Sequence, residues 1–292
     1  MRELTVRRGP VRLAVRRFGR SGPHVVMIHG LASTQHIWDL VVPRLEKRFR
    51  VTTLDLRGHG ESSKPTSGYG FDDVTKDLGA VLRSVGGKRP VLVGHSYGAN
   101  VAIDCAARHP RGVAGVISVD GGMGSISEIM DWKAAREMLA PPKLAGMPID
   151  DLLAYGRDGP LAHVWSPKVE KIIRSLFEVD ARGRGKPRLA RANHFRILRA
   201  MYGQKPKDLL ARMTVPVLMY CARPRASVMD EERGFYEMKR TSVKMIRAAN
   251  PNVKIEWITS IHDIPLDRPR ELATRIARFA SEALAPGGRH GS

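Results

Sequence analysis

The first 120 residues alternate short, almost wholly apolar runs with stretches of helical periodicity, and that alternation leaves few folds open. His24–Ile28 is stopped by His29-Gly30, Arg50–Leu54 by Asp55, Pro90–Val93 by Gly94, and Val113–Val119 by Asp120. Between them, Gln35–Glu46, Phe71–Val85 and Tyr97–Arg108 carry apolar residues at helical spacing, with Asp72 and Asp73 in the first turn of the second. Arg12–Phe18 alternates basic and apolar residues, as an edge strand does. A continuous apolar strand is one buried on both faces. Such strands alternating with helices therefore predict an α/β fold, a mainly parallel sheet covered on both sides.

The rhythm breaks after Asp120. Residues 125–207 show amphipathic helical stretches interrupted by Pro and Gly, with no clear strand, and Asp180–Pro187 reads as a flexible connector. Strand and helix signals return with Val215–Tyr220, Asp230–Arg247, Val253–Trp257 and Pro269–Leu284. The expected organisation is a core formed by residues 1–124 and 208–285, a helical lid over 125–207, and a disordered Gly-rich tail over 286–292. The sequence contains no internal repeat.

A chain of 292 residues with 42% hydrophobic content can bury one large core. It contains no apolar run near the ~18 residues that a membrane span needs. The charged start, Met1–Arg8, has no apolar block after it, so no secretory signal is expected. Cys105 and Cys221 fit buried free thiols in a reducing compartment. A soluble, cytoplasmic protein is the working class, and a homodimer is left open. Lys and Arg number 49 against 29 Asp and Glu, a formal charge of +20. Those cations are scattered, and the densest stretch, Ala181–Arg191, holds no aromatic residue for base stacking. A solvated Arg-rich surface is expected, with neither a specific nucleic-acid partner nor membrane insertion. The sequence has no HExxH, no closely spaced Cys pair, no phosphate-binding loop and no dinucleotide fingerprint, so no metal and no cofactor is expected.

The chemistry concentrates at Gly94-His95-Ser96-Tyr97-Gly98, directly after one apolar run and directly before a helix. In isolation G-x-S-x-G is a moderately specific pattern that an ordinary turn serine could satisfy. Between strand and helix it forces a sharp turn that exposes the serine hydroxyl at the carboxyl edge of the sheet, at a helix N-terminus that favours developing negative charge. Acyl transfer also needs two backbone N–H donors aimed at the oxyanion. Tyr97, after the nucleophile, supplies one, and Leu31, in the loop after the run ending at Ile28, is placed for the other. His29 reads as a structural residue beneath that loop.

Taken in order, His29-Gly30, Asp55-Leu-Arg-Gly58-His59-Gly60-Glu-Ser62, Gly94–Gly98 and Ile261-His262-Asp263 resemble an α/β-hydrolase with a lid, over about residues 10–284. The resemblance implies an eight-stranded sheet with a helical cap inserted after the sixth strand, and a structural role for Asp55 and the Arg57–Gly60 loop. It implies a catalytic triad of Ser96 as nucleophile and His262, on the loop after the last strand, as base. The ring of His95 should instead point into the sheet. The acid departs from the commonest pattern. Where most relatives place an Asp after the seventh strand, this chain has Cys221-Ala-Arg-Pro-Arg225, and a cation cannot steady an imidazolium. Certain haloalkane dehalogenases and the zearalenone lactonases carry the carboxylate after the sixth strand, where this chain has Asp120. Asp120 is accordingly the expected acid, with Asp230 as the alternative.

The resemblance then implies attack by Ser96 on a carbonyl carbon, an oxyanion held by Leu31 and Tyr97, and an acyl-enzyme resolved by water. A serine nucleophile argues against dehalogenase and epoxide-hydrolase chemistry, which uses an Asp nucleophile. Met and aromatic residues of the lid and its base suggest a medium-sized hydrophobic ester or lactone, with Trp38, Met123, Trp132, Trp165 and Tyr202 as candidate substrate contacts. A C–C bond hydrolase, a perhydrolase and a non-catalytic receptor on the same fold are the rival readings.

Overall fold

Hydrogen-bonded pairing of apolar strands builds one central sheet. The computed structural model describes residues 1–285 except Lys88, and omits the side chains of Asp230, Glu231 and Glu232; the expected tail over 286–292 lies outside the described residues. Six strands precede the break: β1 (Arg2–Arg8), β2 (Val11–Phe18), β3 (His24–Ile28), β4 (Arg50–Leu54), β5 (Val91–His95) and β6 (Gly115–Val119). After it come β7 (Met147–Pro148), β8 (Phe177–Val179), β9 (Arg184–Pro187), β10 (Val217–Arg223) and β11 (Val253–Thr259). The main sheet has eight strands in the order β1-β2-β4-β3-β5-β6-β10-β11, antiparallel at the β1/β2/β4 end and parallel from β4 onward.

Strands β3, β5 and β6 are buried along their whole length, which is why their sequences are unbroken apolar runs rather than alternating ones. Helices α1 (Phe71–Val85) and α2 (Tyr97–Arg108) follow β4 and β5. The cap contributes α3 (Ile126–Ile129), α4 (Trp132–Met138), α5 (Ile149–Arg157), α6 (Pro167–Arg174), α7 (Arg191–Gly203) and α8 (Pro206–Ala211). The chain then closes with α9 (Met229–Ala249), α10 (Ile264–Asp267) and α11 (Pro269–Ala283). Two hydrophobic clusters sandwich the sheet, one holding Leu78, Val101 and Ile246, the other Trp38, Leu272 and Ile276. The expected α/β architecture is therefore present, with the insertion between β6 and β10.

Three local expectations need correction. The first is the edge of the sheet, which is β1 rather than the Arg12–Phe18 strand. A two-residue turn at Gly9-Pro10, with Gly9 at φ +55°, pairs Arg8 with Val11 and folds the charged amino-terminal segment back as a hairpin. Within Gln35–Glu46 there are two short 3₁₀ turns, Gln35–Trp38 and Val42–Arg44, instead of a helix. Finally, the cap is not wholly helical: β7, β9 and β8 form a small antiparallel sheet, and Asp180–Pro187, expected to be a loose connector, turns and enters β9. The Asp180 carboxylate accepts the N–H groups of Arg182 and Arg184 at 2.9 Å, and Gly183 takes φ +73°. Strands of two to four residues are too short to show an alternating pattern.

Candidate active site

Ser96 stands at the junction of β5 and α2 with φ 53° and ψ −120°. That conformation is affordable only because its neighbours lack side chains. A Cβ on Gly94 would lie 2.2 Å from the carbonyl oxygen of Gly98, one on Gly98 would lie 2.3 Å from that of Ile28, and one on Gly121 would lie 2.2 Å from that of Ser96 itself. Glycine at these three positions is therefore a packing requirement. The Ser96 N–H donates to the Val119 carbonyl at 2.9 Å, tying the turn to the end of β6. Two further non-glycine residues at the site share the positive-φ backbone, Ala32 (φ 55°) and Asp120 (φ 45°).

Asp120 follows β6, is buried, and fills its four acceptor positions. Oδ1 accepts the Ala222 N–H at 2.9 Å and Lys239 Nζ at 2.9 Å; Oδ2 accepts Lys239 Nζ at 2.8 Å and His262 Nδ1 at 2.7 Å. Burial alone would raise the carboxyl pKa, but the hydrogen bonds from His262 and Lys239 and their charges hold it below the usual carboxylate range. His262 lies on the loop after β11. Desolvation by the surrounding protein opposes its charged form, yet the hydrogen bond to Asp120 together with the charges of Asp120 and Asp263 raises the imidazole above its ordinary value. With Nδ1 committed to Asp120, Nε2 is the ring nitrogen free for proton transfer.

The loop carrying His262 is fixed from two sides. The His95 ring, buried under the site, donates from Nε2 to the His262 carbonyl at 3.0 Å, and its centroid lies 4.8 Å from the His262 ring. Burial pushes His95 down to about 4, so it stays neutral. Asp267, in α10, accepts the Ser260 hydroxyl at 2.9 Å and the Ile261 N–H at 3.1 Å. Arg225, where a triad acid would stand after the seventh sheet strand in the commonest pattern, pairs with Asp267 at 2.8 Å instead. The cation thus braces the histidine loop from behind. The alternative acid, Asp230, has its side chain outside the described residues.

Ser96, His95 and His262 open onto a cavity of about 240 Å³ lined also by Leu31, Ile37, Ile172, Ile173, Leu176 and Leu266, with Asp263 at its wall. A larger hollow of about 420 Å³ around Met213–Val217 and Pro251–Lys254 lies at the amino ends of β10 and β11, away from these groups. A Cβ on Gly30 would sit 3.1 Å from Ser96 Cβ, so the Leu31 loop abuts the serine directly. Among the described residues, the N–H groups of Leu31 and Tyr97 donate to no protein acceptor. No hydrogen bond joins Ser96 Oγ to His262, whose Nδ1 is bonded to Asp120.

A model of the α/β hydrolase fold matches residues 23–148. The chain is 35% identical over 128 residues to 2-(acetamidomethylene)succinate hydrolase of Mesorhizobium japonicum, covering 44% of this chain and 46% of that protein. It is also 35% identical over 107 residues to a fluoroacetate dehalogenase of a Burkholderia species, covering 35% of each. Among solved structures, E-2-(acetamidomethylene)succinate hydrolase superposes with a TM-score of 0.77 at 22% identity, over 95% of this chain and 98% of that one. The chain has the α/β-hydrolase fold. The sequence matches span less than half the length of these two curated relatives, one named a hydrolase and the other a dehalogenase. No helix among the described residues is long and apolar enough to cross a membrane.

The structure places Ser96, His262, Asp120, Leu31 and Tyr97 around one point at the carboxyl ends of the parallel strands, the position at which open α/β sheets bind ligands. None of the five expected substrate contacts is among the residues lining this cavity. Trp38 is fully buried in the core, edge-on to His95 with ring centroids 6.5 Å apart. Met123 packs on the α2 side of the core. Trp132 and Tyr202 pack against each other at 5.3 Å beneath the Arg199 guanidinium. Trp165 bridges the cap and core clusters beside Gly156. The cavity wall is aliphatic, and its cap side is Ile172, Ile173 and Leu176 from α6 and the turn after it. The amphipathic pattern of Pro167–Arg174 marked those residues; the weight given to aromatic side chains hid them. His29 is buried as expected, with Nδ1 donating to the Gly30 carbonyl and Nε2 accepting the Leu56 N–H. Both cysteines are free and buried.

Proposed function

We propose that this protein is a serine hydrolase that cleaves carboxylic esters or lactones of neutral, medium-sized, hydrophobic substrates. The observation that supports it most directly is the 2.7 Å contact between His262 Nδ1 and a buried, fully hydrogen-bonded Asp120, with Ser96 on the same cavity. In this reading Asp120 holds the imidazole in the tautomer that leaves Nε2 unprotonated. Nε2 takes the proton from Ser96 Oγ as the oxygen bonds to the substrate carbonyl carbon. The carbonyl oxygen, now an oxyanion, accepts the N–H groups of Leu31 and Tyr97 at the N-terminus of α2. Collapse of the tetrahedral species expels the alkoxide, which takes the proton from His262, and leaves an acyl group on Ser96. Water, deprotonated by the same imidazole, attacks that ester and releases the acid.

The wall chemistry supports the substrate class. Among the described residues the cavity presents aliphatic side chains, no lysine or arginine, and one carboxylate, Asp263. An anionic substrate such as a succinate derivative would meet no lysine or arginine among these lining residues, which favours a neutral one. A homologous series of p-nitrophenyl esters and a panel of lactones, run on the wild type and Ser96→Ala, tests the reading. Turnover is expected on the wild type and is lost in Ser96→Ala, while labelling by a fluorophosphonate requires Ser96. Turnover near the wild-type rate in Ser96→Ala would refute it.

A further inference from the structure

Helix α9 delivers a lysine into the interior. Lys239 is 7% exposed, and its ammonium reaches both oxygens of Asp120 and, at 3.3 Å, the Ala222 carbonyl. Its three N–H donors therefore meet three protein acceptors. The Phe235 ring covers it with its centroid 4.9 Å from Nζ.

A buried ion pair is a poor way to add stability, because desolvating both charges offsets most of the Coulomb gain. What distinguishes this pair is that its anion is shared: the same Oδ2 that accepts Lys239 also accepts His262 Nδ1. We propose that Lys239 is a positioning residue that locks the Asp120 carboxylate toward His262 and offsets part of its charge, so that the imidazole is free to act as a base at lower pH than an Asp–His pair alone would allow. This inference rests on the reading of Ser96, His262 and Asp120 as a triad.

The other groups facing this cluster do not substitute for Lys239. His95, on β5, stays neutral down to about 4. Cys221, on β10 and near Asp120, is pushed up to about 12 by burial and is uncharged in the same range. Asp263, on the histidine's own loop, raises the imidazole further. Lys239 is the cation that opposes the two carboxylates. Among the described residues, Arg225 is spent on Asp267.

The test is the pH profile of kcat/KM on a p-nitrophenyl ester for the wild type, Lys239→Met and Lys239→Arg. Lys239 Nζ lies 2.8 Å from the carboxylate oxygen that His262 Nδ1 meets at 2.7 Å. Removing a unit charge at that separation, at an effective dielectric of about 20–40, is expected to move the acid limb up by about one to two pH units. Activity at pH 6 relative to pH 8 should then fall roughly tenfold or more in Lys239→Met, while Lys239→Arg keeps the limb in place. An unmoved acid limb in Lys239→Met, however low its kcat, would reduce the lysine to a structural strut and overturn the inference. Lys239→Gln, which keeps an amide donor without the charge, is read in the same way if Lys239→Met does not fold. Fluorophosphonate labelling of the same preparations separates the two levels of the argument. Labelling at Ser96 with an unmoved limb defeats the role of Lys239 alone, whereas no labelling at Ser96 defeats the triad and this inference together.

Discussion

Replacing Asp120 by Asn should damage the protein in two separable ways. The first is stability. The carboxylate is buried, and it is the counter-charge of an ammonium that is itself 7% exposed. Asn leaves that ammonium without an anion, and breaking a buried pair from one side costs about 3–5 kcal/mol. For a chain of this size that is a large part of the net stability and lowers Tm by roughly 10 °C. Adding Lys239→Met removes the stranded charge, so Asp120→Asn/Lys239→Met should recover to within about 1–2 kcal/mol of the wild type, about 2–3 kcal/mol above Asp120→Asn alone. The second effect is catalytic. Asn cannot accept the Nδ1 proton and support the imidazolium as the carboxylate does, so ester turnover should fall about 10³–10⁴-fold in the single and the double variant alike. Urea unfolding followed by tryptophan fluorescence measures the first effect, and initial rates at pH 8 measure the second. A loss below about 1 kcal/mol in Asp120→Asn, or losses that add in the double variant, would refute the buried pair. Recovered turnover in the double variant would refute the acid role.

Gly98→Ala would place a Cβ 2.3 Å from the Ile28 carbonyl oxygen and 2.6 Å from that of His29, both rigid backbone atoms. It should cost about 2 kcal/mol or more and most of the esterase rate, and a variant with wild-type Tm and rate would contradict the elbow packing. Acid stability provides a further check. Burial lowers His24, His29 and His95 to about 4 and His59 to about 3. The native rings thus refuse protons that the unfolded chain accepts below about pH 6.5, and stability present above that pH is lost progressively toward pH 4. At pH 5.5 each contributes about 1.4 kcal/mol of destabilisation. Differential scanning calorimetry should show Tm falling steeply from pH 7.5 to 5.5, and a flat profile would rule out neutral buried rings.

The parts of the site that were legible in the sequence are the local ones. Ser96 announced itself because strand, glycine, serine, glycine and helix occur within a dozen residues, and each is required by the sharpness of one turn. His262 and Asp120 were found by their place after a strand, which fixes them at the same sheet edge. Lys239 left no such mark. It stands 119 residues from Asp120, on a helix with many other cations, and only the packing of α9 over the end of β10 distinguishes it from a solvated lysine. The five candidate substrate contacts lie off the cavity lining for a related reason. Large aromatic side chains fill cores as readily as pockets, and Trp38 is covered by the second core cluster. The main sheet was legible because its strands are apolar throughout. β1 was missed because its inward residues, Leu4 and Val6, are only two among four charged residues and a threonine.

Ala32, Ser96 and Asp120 are three of the four non-glycine residues at positive φ among those described; Ala32 and Ser96 line the cavity, and Asp120 is hydrogen-bonded to the histidine that lines it. Each such conformation costs about 1–3 kcal/mol, and their sum rivals the whole margin by which a domain stays folded. The catalytic geometry is therefore an inherited debt of the scaffold, carried by the buried strands on either side. Selection for heat tolerance alone would favour glycine first at these positions, and two of them, Ser96 and Asp120, are the side chains on which the proposed chemistry depends. In this protein the route to greater robustness and the route to lost activity begin at the same residues.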